Sequence, residues 1–139
     1  MKLLLILFSI YISTFQKSET YNLTLSISNI KEVKGGIGLS VFNNASSFPK
    51  KDGAYKTYYY NVTGKTMSIT IKDLKKGDYA LAIYHDANGD KECNLNFLGI
   101  PKEMYGFSNN IKPKLSAPSF ADCKIDLNSN SAITIKLID

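Results

Sequence analysis

The segment from His85 to Asn96 carries the side chains best suited to chemistry. Oxygen-bearing side chains occupy every second position from Asp86 to Asn96, and Gly89 lies among them. Ca²⁺ takes about six to eight oxygen ligands in proteins, and short Asp and Asn side chains supply them with little chain movement. The spacing therefore predicts a Ca²⁺ site, and the candidate ligands are Asp86, Asn88, Asp90, Asn94 and Glu103.

The same segment departs from the helix-loop-helix calcium motif. Asp86-x-Asn88-x-Asp90 matches the start of that motif, but Lys91 stands where a glycine is required and Phe97 where a bidentate glutamate belongs. An EF-hand is therefore excluded. A looser calcium loop stays open beside a second interpretation, a polar loop whose Asx side chains cap their own backbone turns. Lys91 inside the cluster counts against the metal.

The chain offers little for acid–base catalysis. His85 is its only histidine, and the adjacent Asp86 cannot orient it simply, because neighbouring strand residues point to opposite faces. Ser108 does not lie in a Gly-x-Ser-x-Gly nucleophile elbow. We therefore expect a non-enzymatic binding or structural module. The alternative is a small secreted hydrolase that uses His85, Asp86 and Glu103.

Turn residues and aromatic rings are mixed in the segment 99–110. Aromatic faces stack on sugars or peptides, and Asn amides supply directional hydrogen bonds. An alternative is that the rings fold inward as a small satellite core, which we expect for Phe107 and Phe120. The residues predicted to recognise an envelope protein or a glycan are His85, Tyr105, Asn109 and Asn110.

Alternation of apolar and polar residues dominates the rest of the chain and is typical of half-buried strands. No stretch shows a sustained 3.6-residue apolar repeat, so helix should be scarce. The pattern predicts an all-β fold, a seven-stranded antiparallel sandwich of immunoglobulin-like type. The predicted strands cover 21–28, 37–41, 55–62, 67–71, 79–84, 123–127 and 133–137.

The turn before the fifth predicted strand supports this architecture. Leu74 to Tyr79 resembles the tyrosine corner of immunoglobulin-like sandwiches, in which a phenol hydroxyl returns to the backbone upstream. We therefore expect the Tyr79 hydroxyl to pin this corner. A plain β-turn before the strand is the alternative.

One connection is unusually long. About 36 residues after Tyr84 show no clear strand or helix pattern, and loops beyond about 12–15 residues usually carry function. Cys93 and Cys123 are the only cysteines, and in an exported chain two distant cysteines predict a disulfide. Closing a loop of about 30 residues would add about 3–4 kcal/mol of stability. Two unpaired thiols are the alternative.

The N-terminus has the features of a secretory signal. Lys2 precedes an apolar run at 3–12, and polar residues follow at 16–20. The run is too short for a hydrocarbon core of about 30 Å. The sequence therefore predicts a signal peptide at 1–18, one β-sandwich domain at 19–139, a secreted or periplasmic location and no transmembrane span after signal removal. A buried N-terminal strand or helix is the alternative.

The charge pattern argues against nucleic acid as a partner. Removal of Lys2 and Lys17 with the signal lowers the net charge from +5 to about +3. The chain contains no arginine, the residue that most often reads phosphates and guanine edges. Its scattered lysines are better explained as solvated strand faces and protected sheet edges.

Three strings of residues stand out: Gly77 to Gly89 with His85-Asp86-x-Asn88-Gly89, Leu98 to Asn110 with Gly99-Ile100-Pro101-Lys102-Glu103-x-Tyr105-Gly106-Phe107-Ser108-Asn109-Asn110, and Ala117-Pro118-Ser119-Phe120-x-Asp122-Cys123. They resemble the bacterial family called domain of unknown function 2141. The resemblance covers residues 22–138 and implies an exported envelope protein with an immunoglobulin-like or transthyretin-like sandwich, without an agreed activity. That family often has alanine in place of Cys123. It also often has a further Asp near position 94 or 95, where this chain has Asn94-Leu95, and the missing charge weakens the calcium prediction.

Overall fold

A computed structural model describes residues 17–139. All but the last two residues of the predicted signal peptide lie outside the described residues. Helix is scarce in the described chain, as expected, and consists of one short α-helix and of 3₁₀ turns at Lys51–Gly53 and Ser108–Asn110. The elements are β1 Thr20–Ser28, β2 Gly36–Phe42, β3 Lys56–Asn61, β4 Met67–Lys75, β5 Gly77–Asp86, β6 Tyr105–Phe107, α1 Phe120–Cys123, β7 Ile125–Leu127 and β8 Ser131–Lys136.

The strands form two sheets, which confirms the all-β prediction. One sheet has the order β4-β1-β8, and the other has the order β3-β2-β5-β6 with β7 also paired to β5. Three finer expectations were wrong. The described residues contain eight strands rather than seven, because β6 lies inside the predicted loop; β8 runs parallel to β1; and Cys123 ends α1 rather than opening a strand.

Both sheets contribute to one apolar core. Strand side chains alternate between the two faces of a sheet, so every second residue of each strand points inward. Burying each large aliphatic side chain contributes about 1.5–3 kcal/mol. The core includes Leu23, Leu25 and Ile27 from β1, Ile37, Leu39 and Val41 from β2, Ile69 and Ile71 from β4, Leu81 and Ile83 from β5, and Ile135 from β8.

The tyrosine corner is confirmed. The Tyr79 hydroxyl donates to the Lys75 carbonyl oxygen at 2.8 Å, and the ring lies in the shared core. This bond joins the start of β5 to the end of β4. It therefore anchors the start of β5, the strand whose far end begins the oxygen-rich loop.

A second apolar cluster covers part of the outer face of the five-stranded sheet. Phe107 and Phe120 pack into it, which confirms the predicted satellite core. A capping box begins α1: the Ser119 side chain accepts from the Asp122 amide, and the Asp122 carboxylate accepts from the Ser119 amide. The buried members of this cluster are Phe42, Phe48, Ala80 and Cys123.

The predicted disulfide between Cys93 and Cys123 is absent, and both thiols are free. Cys123 packs beside Ala80, whereas Cys93 lies close enough to Tyr84 to act on its ionisation. These two β5 residues are about 13 Å apart at the strand rise of 3.3 Å per residue. A disulfide requires Cα atoms within about 7 Å. The two cysteines lie near different ends of β5 and are therefore too far apart to form one.

Candidate metal-binding loop

The end of β5 presents Asp86 on the outer face of the five-stranded sheet. A Cβ on Gly36 would overlap the Tyr59 ring, and one on Gly38 would overlap the Tyr84 ring. Both rings therefore lie flat over β2, where larger residues would lift them away. This packing brings the Tyr59 hydroxyl to Asp86 Oδ2 at 2.7 Å.

The Asp86 carboxylate organises the loop around itself. Oδ1 accepts from the Gly89 amide at 2.7 Å and the Asp90 amide at 3.2 Å, while Oδ2 accepts from the Lys91 amide at 2.8 Å in addition to Tyr59. The side chain is fully buried. An ionised carboxylate has about four acceptor sites, and all four are used. Asp86 therefore shapes the loop, and a cation could reach it only where a donor is released, most easily at the long Asp90 bond.

Three carboxylates converge at the loop. One carboxylate oxygen from each of Asp86, Asp90 and Glu103 lies within 4.8 Å of the other two. The return of the chain positions Glu103: the Lys102 amide donates to the Asn94 carbonyl at 2.7 Å, and the Asn94 amide donates to Glu103 Oε2 at 3.2 Å. Residues far apart along the loop are thus held against one another.

Two asparagine side chains complete the cluster. The amide nitrogens of Asn88 and Asn94 donate to Asp90 Oδ2 at 3.0 and 2.8 Å. These N–H groups partly compensate the charge of Asp90 in a cation-free loop. The oxygen and nitrogen of an amide exchange places on a half-turn of its terminal torsion. A cation could therefore attract both amide oxygens without backbone movement, at the expense of the 3.2 Å bond from the Asp90 amide to Asn88 Oδ1. All five predicted metal ligands therefore lie together.

Burial, hydrogen bonds and neighbouring carboxylates together shift the pKa values of groups in the loop. Burial, partly opposed by the bond from the Asn94 amide and reinforced by Asp86 and Asp90, raises the pKa of Glu103. The hydrogen bond to Asp86, followed by burial, raises the pKa of Tyr59 to about 12. Lys91 does not pair with the three carboxylates among the described residues, and its ammonium lies 5.6 Å from the Tyr59 ring centroid. The cluster is therefore suited to a hard cation.

The raised pKa of Glu103 predicts a pH dependence of stability. A carboxyl whose pKa is higher in the folded state binds its proton more tightly there, so the free energy of unfolding falls as pH rises from the ordinary value of 4.5 through the folded value. Urea denaturation in chelator should show this fall, and Glu103→Gln should remove it.

Carboxyl groups with lowered pKa, such as Asp90, act with the opposite sign and at lower pH. Glu92→Gln is the matched control, because Glu92 is exposed and lies outside the cluster. It should keep the wild-type slope. If Glu103→Gln left the pH dependence of the free energy of unfolding unchanged, Glu103 would not be its source.

His85 is not part of this cluster. Its side chain points to the opposite face of β5, where it is 3% exposed and its Nε2 lies 2.9 Å from the Lys34 carbonyl oxygen. Asp86 and Glu103 are brought together without it. In this arrangement the described residues do not assemble the three groups that the hydrolase alternative needs.

The other predicted recognition residues make internal contacts. Tyr105 is buried and pairs through its backbone with Ile138. The Asn109 amide nitrogen donates to two carbonyl oxygens, one of them that of Asp122, at 3.0 Å each. Asn110 bonds the backbone of β8 with both ends of its amide and borders a groove of about 470 Å³. His85, Tyr105, Asn109 and Asn110 therefore do not form one exposed surface.

Sequence reasoning missed two side chains that hold β5, one at the site and one farther along the strand. Tyr59 lies 27 residues before Asp86, and no local pattern links them. Buried Ser108 accepts from the Leu81 amide at 3.0 Å and donates to the Cys123 carbonyl, so it ties β5 to α1. The capping box Ser119-x-x-Asp122 was a readable signal for α1.

The fold and the loop together define an all-β, two-sheet domain that carries an acidic, amide-rich loop. The chain matches, over residues 25–136, the family described as an uncharacterized protein conserved in bacteria (DUF2141), and it belongs to that family. No curated protein and no solved structure matches the chain. Within residues 17–139, no helix has both the length and the apolar character needed to cross a membrane.

Proposed function

We propose that this protein is an exported, non-enzymatic binding or structural module of the bacterial envelope whose loop binds Ca²⁺. The observation that carries the proposal is the convergence of three carboxylates, from Asp86, Asp90 and Glu103, within 4.8 Å. Like charges at this distance repel one another, and a divalent cation between them converts the repulsion into attraction. Burial is the main cause of the rise in the Glu103 pKa, and the charges of Asp86 and Asp90 add to it.

The donor set favours Ca²⁺ among the common metals. Carboxylate and amide oxygens are the ligands of hard cations, whereas Zn²⁺ selects imidazole and thiolate. Asp90 and Glu103 would supply charged oxygens, Asn88 and Asn94 would supply neutral ones, and Asp86 would hold the loop and complete the charge. A loop with ligands of mixed type fits the variable coordination of Ca²⁺ better than the strict octahedron of Mg²⁺.

A non-enzymatic role is supported by what the loop contains. The imidazole of His85 is turned toward the core, and the residues around the carboxylates include no side chain activated as a nucleophile. Burial raises the pKa of the Cys93 thiol, an effect strengthened by Glu103, and a protonated thiol is a poor nucleophile. The chemistry of the loop is therefore that of binding.

The envelope location and the finer fold type belong to the same proposal. The apolar run at 3–12 supports export, and the Tyr79 corner supports an immunoglobulin-like or transthyretin-like frame. Envelope proteins or glycans are the partner classes that we propose. Mass spectrometry of the mature protein from a bacterial host should find it without residues 1–18, and a cytoplasmic, unprocessed product would contradict export.

A calcium titration tests the metal site. The melting temperature should rise with Ca²⁺ and return to its starting value with chelator, because a ligand that binds only the folded state stabilises it by about 2.7 kcal/mol at 100 times its Kd. Glu103→Gln should weaken Ca²⁺ binding at least about tenfold, since it removes a charged ligand.

Glu92→Gln is again the matched control, and it should keep the wild-type affinity because its carboxylate pairs with Lys51 at 3.8 Å outside the cluster. Isothermal titration calorimetry measures both variants. No Ca²⁺ response in the wild-type protein would overturn the metal proposal and leave the self-capped polar loop as the explanation.

A further inference from the structure

An apolar hairpin tip projects from the loop that carries the carboxylates. Its four large side chains are exposed to solvent, and we call them the apolar tip. Exposed apolar side chains that cluster in this way, rather than occurring singly, mark interaction sites. The exposed fractions are 53% for Leu95, 95% for Phe97, 67% for Leu98 and 47% for Ile100.

The backbone holds the apolar tip in a defined shape. Asn96 Oδ1 accepts from the Leu98 and Ile100 amides at 2.9 and 3.0 Å, and the Asn96 amide donates to the Ile100 carbonyl at 2.8 Å. A bridge between Leu95 and Pro101 closes the hairpin. The apolar side chains are therefore held outward by a hydrogen-bonded turn.

Two lysines flank this hairpin in the sequence. Lys91 precedes it, Lys102 follows it, and both are exposed. Lys51 reaches the same region through its pair with Glu92 at 3.8 Å. Lysine stems lie along apolar surfaces while their ammonium groups stay in water. The ammonium groups of Lys91 and Lys102 beside the apolar tip are complementary to a bilayer surface, where acyl chains lie beneath phosphate headgroups.

The shape of the tip favours lipid over a protein partner. Four side chains on one convex turn cover less than the ~800 Å² per partner of a standard protein interface. The tip also lacks tryptophan, tyrosine and arginine, the residues enriched at the energetic centres of protein interfaces. Insertion into a fluid surface needs no matching pocket.

We propose that the apolar tip inserts into the surface of an anionic phospholipid bilayer, with headgroup phosphates against Lys91 and Lys102. Insertion itself depends on the tip and its lysines. Its strengthening by Ca²⁺ rests on the proposed function, because the carboxylates of Asp90 and Glu103 at the base repel anionic headgroups until a cation neutralises them.

The chain contains no tryptophan, so a single introduced one reports on its own location. In the full-length protein, emission from Phe97→Trp should shift to shorter wavelength on addition of phosphatidylglycerol vesicles and should be quenched by brominated acyl chains. Leu115→Trp is the matched control, because Leu115 is fully exposed in the segment that leads to α1. Its emission should not change. This local readout separates the tip from any binding by residues 1–18.

A second variant tests the energetic role of the tip. Phe97→Ser with Leu98→Ser in the Leu95→Trp background should need at least about tenfold more lipid for the same shift, since apolar burial drives insertion. Both side chains are exposed, so the melting temperature should stay unchanged. Equal shifts with and without the serines, or equal shifts at positions 97 and 115, would overturn the proposal.

Further measurements distinguish membrane insertion from self-association and from Ca²⁺ binding. A shift of Phe97→Trp emission that depends on protein concentration without vesicles would identify a second copy as the occupant and overturn insertion. Ca²⁺ binding by calorimetry without any vesicle-induced shift would overturn insertion and leave the metal site standing. A vesicle-induced shift without Ca²⁺ binding would support insertion and overturn the metal site.

Discussion

Asp86→Ala should lower the free energy of unfolding by about 3–5 kcal/mol, measured by urea denaturation in chelator. The carboxylate accepts three backbone amides and the Tyr59 hydroxyl in a fully buried position. Alanine leaves these donors without an acceptor, at about 1–3 kcal/mol for each group that water cannot reach. Chelator ensures that the measured loss belongs to the loop itself and not to a lost cation.

Two comparison variants make this result specific. Asp126→Ala removes an exposed carboxylate whose hydrogen-bond partner is the nearby Asn128 amide, and it should change stability by less than about 0.5 kcal/mol. Asp86→Asn keeps one acceptor oxygen and should give an intermediate loss. If Asp86→Ala were as mild as Asp126→Ala, the loop would not depend on its central carboxylate.

This prediction bears on how the metal proposal should be understood. Because its acceptor sites are used by hydrogen bonds, Asp86 contributes to the site mainly by fixing loop shape and adding charge. Asp90 and Glu103 have more freedom to ligate. Loss of Ca²⁺ binding in Asp86→Ala alone would therefore not identify a ligand, whereas loss in Glu103→Gln with retained stability would.

The strands were predictable from sequence where apolar and polar residues alternate along them. Leu23, Leu25 and Ile27 all face the core, and β1 extends one residue beyond the predicted span, at its N-terminal end. In contrast, β6 consists of three residues with Gly106 at its centre, which is too short to show alternation. It exists because β5 offers it an edge, and edge pairing is a tertiary effect.

The direction of β8 was not predictable from its own residues. Ile133 and Ile135 face the same side whether the strand runs parallel or antiparallel to β1, since alternation carries no information on direction. The observed pairing sets Leu23 opposite Ser131 and Ser28 opposite Lys136. Parallel neighbours need a long connection, and here nearly the whole domain lies between them.

The candidate site was predictable in composition but not in construction. Its potential ligands are close in sequence, so spacing alone gathered Asp86, Asn88 and Asp90 into one loop. The groups that hold them come from distant segments. Tyr59 on β3 anchors Asp86 through its hydroxyl, and a glycine of β2 makes room for the Tyr59 ring. The predicted cysteine anchor failed for the same reason, because the distance between Cys93 and Cys123 is set by β5.

Gly35→Ala should destabilise the protein by at least about 3 kcal/mol, which combines about 1–3 kcal/mol of backbone strain with about 1–3 kcal/mol of overpacking. Gly35 has φ +66°, in the left-handed region that disfavours side chains. A Cβ there would overlap the Asp86 carbonyl oxygen and lie 2.9 Å from its carbonyl carbon and 3.0 Å from the Ala87 Cα. These are backbone atoms, which cannot rotate away.

Gly64→Ala is the matched control. A Cβ at Gly64 would meet one neighbour, the Thr66 carbonyl oxygen, at 3.4 Å, so stability should stay within about 1 kcal/mol of wild type. Calorimetric Ca²⁺ affinity should fall with Gly35→Ala and not with Gly64→Ala, because the clash displaces the backbone of Asp86 itself. A Gly35→Ala protein with wild-type stability and affinity would show that the loop is positioned without the close approach of Gly35, contrary to the geometry on which the site depends.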